Sequence, residues 1–110
     1  MRPGRRGVRL PAAAAAALAL AAPASAAPRV FTIEIKNMKF APAPAGLHPG
    51  DRVLWVNHDL FRHTATAIDH SFEIDLRPGQ QGGVILRKPG PIPFFCKFHP
   101  GMKGVLLVGR

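Results

Sequence analysis

Short stretches in which apolar and polar residues alternate recur along the chain from residue 30 onward. In the segment 30–36 apolar side chains occupy every second position, at Phe31, Ile33 and Ile35, with polar side chains between them. Alternation with a period of two predicts a strand with one buried face. The segment 53–57 is apolar without interruption until its last residue. Such a run predicts a strand buried on both faces.

Further short strands are expected between turns rich in proline and glycine. They are predicted at 63–68, 71–75, 83–86, 92–96 and 105–108. The proline-rich segment 41–46 is predicted to be a loop, because proline lacks the N–H group that a strand ladder requires. No segment beyond residue 26 has a helical period. Seven or eight short strands at nearly regular spacing predict one all-β domain, an antiparallel sandwich or barrel.

The first 26 residues have a different character from the rest of the chain. Basic residues come first, an apolar run covers 12–22, and small residues lead to Ala26. This order is typical of a secretory signal peptide. We therefore predict a signal peptide over 1–26, cleavage after Ala26, and an exported domain over 27–110.

The apolar run of the leader is shorter than the roughly 20 residues that span a bilayer. No stable membrane insertion is therefore expected. The pair Arg5-Arg6 ahead of the apolar run is also compatible with a twin-arginine signal. The sequence leaves open whether export uses the general secretory (Sec) route or the twin-arginine (Tat) route.

Composition excludes several classes of protein. The 110 residues include one cysteine, which rules out an intrachain disulfide, a zinc ribbon built on two cysteine pairs, and a c-type haem motif. The formal net charge is +9, but the basic residues are scattered and form no run of five. No nucleic-acid binding is expected from such a pattern. The basic surface is either simply solvated or steers the protein toward an acidic partner.

The most informative spacing lies near the C-terminus, in the segment 96–102 with the sequence CKFHPGM. Cys96, His99 and Met102 place a thiol, an imidazole and a thioether three residues apart, between a predicted strand and a glycine-marked turn. By strand alternation Cys96 shares a face with Phe94, so its sulfur is expected to point into the interior. A turn this short can bring three donors to one ion.

His63, at the start of a predicted strand, is the best candidate for a fourth donor. Two histidines, one cysteine and a weak axial methionine form the ligand set of electron-transfer copper sites. Zinc is the competing ion, although a thioether is a poor zinc ligand. Each donor alone is more often structural. Their joint occurrence at this spacing, in an exported protein whose only thiol is unpaired, favours the metal site. The remaining histidines are predicted to be surface residues: His48, His58 and His70.

Four segments carry a family resemblance: 37–42 (NMKFAP), 49–59 (PGDRVLWVNHD), His63-Thr64, and 89–104, which holds Cys96, His99, Pro100 and Met102. Together they resemble the small type 1 copper proteins of the cupredoxin family. The short Cys-x-x-His-Pro-x-Met spacing is most similar to that of the amicyanins. Phe94 stands where the family often has tyrosine, and Lys97-Phe98 where Thr-Pro is usual. Thr64 replaces a common asparagine, which is expected to alter a hydrogen bond between the two ligand loops.

The resemblance implies a Greek-key β-sandwich of seven to eight strands, with copper bound by His63, Cys96, His99 and Met102 at one end. It also implies a monomeric periplasmic single-electron carrier, not an enzyme. The electron donor would be a dehydrogenase and the acceptor a c-type cytochrome, each meeting the protein through a weak, transient interface. Apolar residues are expected around the exposed edge of His99: Leu47, Leu60, Phe61, Phe98, Pro100 and Gly101.

Two other functional classes compete with the electron carrier. A periplasmic copper carrier or copper-resistance protein would use the same soft ligands, so the ligand types alone leave this alternative open. An enzyme is disfavoured, because a copper ion with four protein donors leaves no position for a substrate.

Overall fold

The computed structural model describes residues 27–110, together with Gly4 and Gly7. Eight strands and no helix occur in this part of the chain: β1 (Val30–Lys36), β2 (Lys39–Phe40), β3 (Arg52–Asn57), β4 (His63–Ala67), β5 (Glu73–Leu76), β6 (Gln81–Ile85), β7 (Gly90–Phe95) and β8 (Lys103–Val108). The all-β prediction is confirmed, and every predicted strand is present with small shifts of its ends. The two-residue strand β2 was not predicted. The predicted signal peptide lies outside the described residues.

The strands form two four-stranded sheets with the orders β2-β1-β3-β6 and β5-β4-β7-β8. The chain changes sheet between β3 and β4, between β5 and β6, and between β6 and β7, which confirms the Greek-key sandwich. The sandwich was predicted to be antiparallel throughout. One strand pair differs from this prediction, because β1 and β3 are parallel. The loop after β2 carries the chain back along the sheet. Arg52 then starts β3 beside the start of β1, where its N–H donates to the Arg29 carbonyl (2.8 Å).

Aromatic side chains fill the space between the sheets. The Trp55 ring packs edge-on against Phe94 (5.5 Å between centroids), and Phe94 packs edge-on against Phe40 (4.8 Å). Trp55 and Val53 of β3 are fully buried, whereas Leu54 and Val56 are only half-buried. The prediction of a strand buried on both faces is therefore wrong. In a two-layer sandwich each sheet has an outer face, and that face of β3 is only partly covered.

Leu47 closes the end of the sandwich opposite Cys96. It forms a bridge with Val108, and its carbonyl accepts a hydrogen bond from the Gly109 N–H (2.7 Å). Val108 pairs with Gly90 at the start of β7, whereas Cys96 follows the end of that strand. Leu47 is only 1% exposed. It is therefore a core residue at the far end, and the prediction that it surrounds His99 is wrong.

No helix among the described residues is long and apolar enough to cross a membrane.

Candidate metal centre

Strand pairing brings the predicted ligands to one end of the second sheet. His63 opens β4 and Cys96 follows β7, and these strands pair antiparallel, with Thr66 opposite Phe95. The start of β4 therefore lies beside the end of β7. His99 and Met102 belong to the short turn that joins β7 to β8.

Backbone hydrogen bonds fold this turn back toward its own beginning. The Met102 N–H donates to the His99 carbonyl (2.8 Å), and the Cys96 N–H donates to the Met102 carbonyl (3.0 Å). Met102 is buried, with 6% of its surface exposed. All four predicted ligands thus belong to one compact region of the fold.

Three of the predicted ligands approach one another directly. The Cys96 Sγ lies 3.7 Å from the His63 Nδ1 and 3.7 Å from the His99 Nδ1. The three donor atoms lie within 4.8 Å of one another. Cys96 and His63 are fully buried, and His99 is half-buried.

The chemistry of the donors fits a copper ion. Two imidazole nitrogens face a buried thiol that has no disulfide partner, and this cluster contains no carboxylate. Thiolate and thioether donors suit Cu(I), and imidazole suits both oxidation states of copper. The arrangement of His63, Cys96, His99 and Met102 is typical of a type 1 copper site.

Asp59 contacts the candidate ligand His63, a contact that the sequence analysis did not predict. Its carboxylate lies 2.7 Å from the His63 Nε2, and it accepts the N–H groups of Asn37 (2.6 Å) and Met38 (2.9 Å). Burial acts to raise the pKa of Asp59, but the hydrogen bonds from Met38, His63 and Asn37 outweigh it and hold that pKa below its ordinary value. The available signal was an aspartate four residues before the candidate ligand.

Asn57 shapes the loop that leads to His63 and was also missed. Its amide donates to the carbonyls of Phe61 (2.7 Å) and Leu76 (3.0 Å), and its Oδ1 accepts the Asp59 N–H (2.9 Å). The side chain is fully buried. Three hydrogen bonds from one buried amide fix the course of the loop that carries Asp59.

Thr64 links the two ligand segments. Its N–H points at the Cys96 Sγ (3.4 Å), and its hydroxyl accepts the Lys97 N–H (2.9 Å). The same hydroxyl pairs with that of Thr66 (2.9 Å). A hydrogen bond between the loops is thus made by the threonine that replaces the common asparagine.

Of the apolar residues predicted around the partly exposed His99, Phe61 contacts its ring, and Phe98, Pro100 and Gly101 lie next to it in the sequence. These four residues and Leu60, which precedes Phe61, are all exposed and are called the apolar rim below. The Phe61 ring stands edge-on to the His99 ring, 6.4 Å between centroids. The Arg62 guanidinium lies over the Phe98 ring (4.9 Å) and pairs with Asp75.

The remaining histidines lie on the surface, as predicted. His48, His58 and His70 are exposed, and none of them belongs to the cluster around Cys96.

A Greek-key sandwich with one thiol and two imidazoles clustered at its end defines a small copper protein of the type 1 class. The sequence matches the cupredoxin-like domain family over residues 10–108, so the chain belongs to that family. The match begins within the segment predicted to be the signal peptide. A comparison with curated protein sequences gives no match.

Solved structures of amicyanin share the fold. Amicyanin from Paracoccus versutus (Thiobacillus versutus) superposes with a TM-score of 0.62 at 23% identity, over 73% of this chain and 81% of that chain. A mutant amicyanin in its reduced Cu(I) form at pH 4 gives 0.67 at 20% identity, over 73% and 82%. The oxidised state of another amicyanin mutant gives 0.67 at 20% identity, over the same shares.

Proposed function

We propose that this protein is a periplasmic single-electron carrier that uses one type 1 copper ion bound by His63, Cys96, His99 and Met102. The observation that carries this proposal is the pair of Nδ1 nitrogens that face the buried Cys96 sulfur, each at 3.7 Å. When bound, copper would supply one-electron oxidation and reduction. The protein would act as a carrier and not as an enzyme.

The chain holds its donors in one arrangement. The hydrogen bonds within the 96–102 turn fix His99 relative to Cys96, and Thr64 joins that turn to β4. A ligand shell that rests on two paired strands needs little rearrangement when the charge of the ion changes. Burial of Cys96 and His63 also excludes water from the sulfur, and solvent access is one of the factors that set the potential of such sites.

Electrons would enter and leave through His99, which reaches the surface within the apolar rim. An exposed apolar surface of this small size suits the weak, short-lived encounters of redox proteins. We expect a dehydrogenase-type donor and a cytochrome c-type acceptor, and a protein that is monomeric between encounters.

Export places the carrier outside the cytoplasm. The proposed signal peptide covers 1–26 and the copper domain 27–110. The intact mass of protein recovered from a periplasmic extract should correspond to a chain that begins at Ala27. A chain that retains its first 26 residues in that extract would contradict the boundary.

Reconstitution of the mature chain with Cu(II) tests the proposed redox role. We expect an intense blue absorption from charge transfer between the Cys96 thiolate and copper, bleached by a reductant and restored by an oxidant. Cys96→Ala should abolish the colour, whereas Met102→Ala should keep it and mainly shift the reduction potential, because the axial thioether is the weak ligand. Colour that survives in the cysteine variant would exclude the proposed ligand set.

The same preparation distinguishes electron transfer from copper delivery. A delivery protein should bind Cu(I) without forming a blue Cu(II) complex and should release the ion readily to a chelator. The buried sulfur favours slow release. A colourless protein that exchanges Cu(I) rapidly would therefore favour the copper carrier.

A further inference from the structure

We propose that Asp59 is a positioning residue for the metal centre: its carboxylate holds the His63 proton on Nε2 and leaves the Nδ1 lone pair directed at the metal. This inference rests on the proposed copper site. Asp59 would not itself be a ligand.

The two ring nitrogens of His63 face different partners. Nδ1 lies 3.7 Å from the Cys96 sulfur, and Nε2 lies 2.7 Å from the Asp59 Oδ2. A neutral imidazole has one N–H donor and one acceptor nitrogen, whereas an ionised carboxylate only accepts. The proton therefore belongs on Nε2. In that tautomer Nδ1 is the nitrogen free to bind a metal.

The turn between β1 and β2 holds the carboxylate in place. Asn37 and Met38 adopt left-handed backbone conformations (φ 53° and 60°). Their consecutive N–H groups donate to the two oxygens of Asp59, at 2.6 and 2.9 Å. Successive N–H groups in such a turn form a cradle for an anion. A turn in the first sheet thus orients a metal ligand in the second sheet.

A carboxylate partner also makes the imidazole a stronger donor. A stronger imidazole donor should stabilise bound Cu(II), which carries the higher charge, more than bound Cu(I). Loss of the carboxylate is expected to weaken Cu(II) binding by about 10- to 100-fold. Each tenfold loss that affects Cu(II) alone raises the potential of a one-electron couple by about 59 mV.

Asp59→Asn is the variant that tests this role. A neutral amide has one acceptor oxygen where the carboxylate has two, so either His63 or the Asn37–Met38 turn loses its acceptor. Asp51→Asn is the matched control. Asp51 is also a buried carboxylate that accepts a backbone N–H group, from His48, but it precedes β3 and lies at the opposite end of the sandwich.

The first measurement uses the metal-free wild-type protein and nitrogen NMR of its histidines. In the neutral ring of His63 we expect the proton on Nε2, and a neutral ring with its proton on Nδ1 instead would overturn the proposal. This result does not depend on the behaviour of the copper-loaded protein. It remains decisive if the Asp59 variant fails to fold.

The second measurement titrates each variant with Cu(II) and Cu(I) and records the reduction potential. Asp59→Asn should bind Cu(II) more weakly and have a higher reduction potential than the wild type. Asp51→Asn should match the wild type in both quantities. If Asp59→Asn keeps the wild-type affinity and potential, the proposal is wrong even though the site is a copper site. If the wild-type protein forms no blue complex, the proposed function fails instead.

Discussion

At the scale of single residues, the site depends on side chains that contact the predicted ligands without being ligands. Thr64 is the clearest case, because its hydroxyl accepts the Lys97 N–H while its own N–H faces the Cys96 sulfur. The side chain is 1% exposed, so water cannot readily replace these contacts. Thr64 therefore fixes the position of the segment that carries the thiol.

Thr64→Val tests this contact with a side chain of similar shape. It removes the acceptor of the Lys97 N–H, and leaving such a group unpaired costs about 1–3 kcal/mol. The free energy of unfolding, measured with urea and followed by Trp55 fluorescence, should fall by that amount. Thr32→Val on the exposed side of β1 is the control and should be nearly neutral. Equal stability of the two variants would contradict the structural role of Thr64.

The four candidate ligands were identified from the sequence, and Thr64 was expected to influence the hydrogen bond between their loops, but the contact of Asp59 with His63 was not predicted. A single cysteine with His99 and Met102 at fixed spacing leaves few alternatives for a metal site. Asp59 resembles any aspartate of a turn, and its partners lie more than 20 residues away, at Asn37 and Met38. Such contacts arise only when the two sheets face each other.

At the scale of elements, the turn between β7 and β8 is held by the packing of the two strands. Gly104 pairs with Phe94 in this ladder. A Cβ atom at Gly104 would lie 2.3 Å from the Cζ of the Phe94 ring. The absence of a side chain at this position lets the ring pack against Trp55. The glycine after the ligand turn thus serves the core.

Gly104→Ala should force the Phe94 ring out of its position. Overpacking of this kind costs about 1–3 kcal/mol, and thermal or urea unfolding of the metal-free protein measures it. Gly101→Ala is the control from the same turn, because no atom lies within 4 Å of its added Cβ. A Gly104 variant as stable as the Gly101 variant would show that Phe94 has room to move.

Strand positions followed from alternation, but strand direction did not. The pattern of β1 and β3 contains no information on whether the two strands run parallel. Their parallel orientation follows from the path of the loop between β2 and β3. The same loop carries Leu47 to the far end of the sandwich. Its apolar character predicted burial in general but gave no indication of which end it covers.

At the scale of the whole molecule, an ion pair between Arg29 and Asp51 links two strands at the end of the sandwich opposite the candidate metal centre. The Arg29 guanidinium donates to both oxygens of Asp51 (3.1 and 2.8 Å), and the His48 N–H donates to the same carboxylate (2.8 Å). Arg29 precedes β1 and Asp51 precedes β3. The contact therefore joins the starts of the two parallel strands.

This ion pair predicts how stability depends on pH. The hydrogen bond from Arg29 lowers the pKa of Asp51 most; burial opposes it, and the His48 N–H and the nearby charges add to the lowering. Because the folded pKa lies below the unfolded value of about 3.9, the stabilisation is complete above that value and is lost as the pH falls through the folded pKa. Asp51→Asn should flatten this part of the profile of unfolding free energy against pH. An unchanged slope would contradict the contribution of Asp51.

The central claim is that the two histidines, the cysteine and the methionine bind one copper ion. Diffraction from crystals of the copper-loaded protein, collected at the copper absorption edge, tests it directly. The account predicts a single anomalous peak bounded by the Cys96 sulfur and the Nδ1 atoms of His63 and His99. A peak at an exposed histidine such as His48, with none beside Cys96, would contradict it.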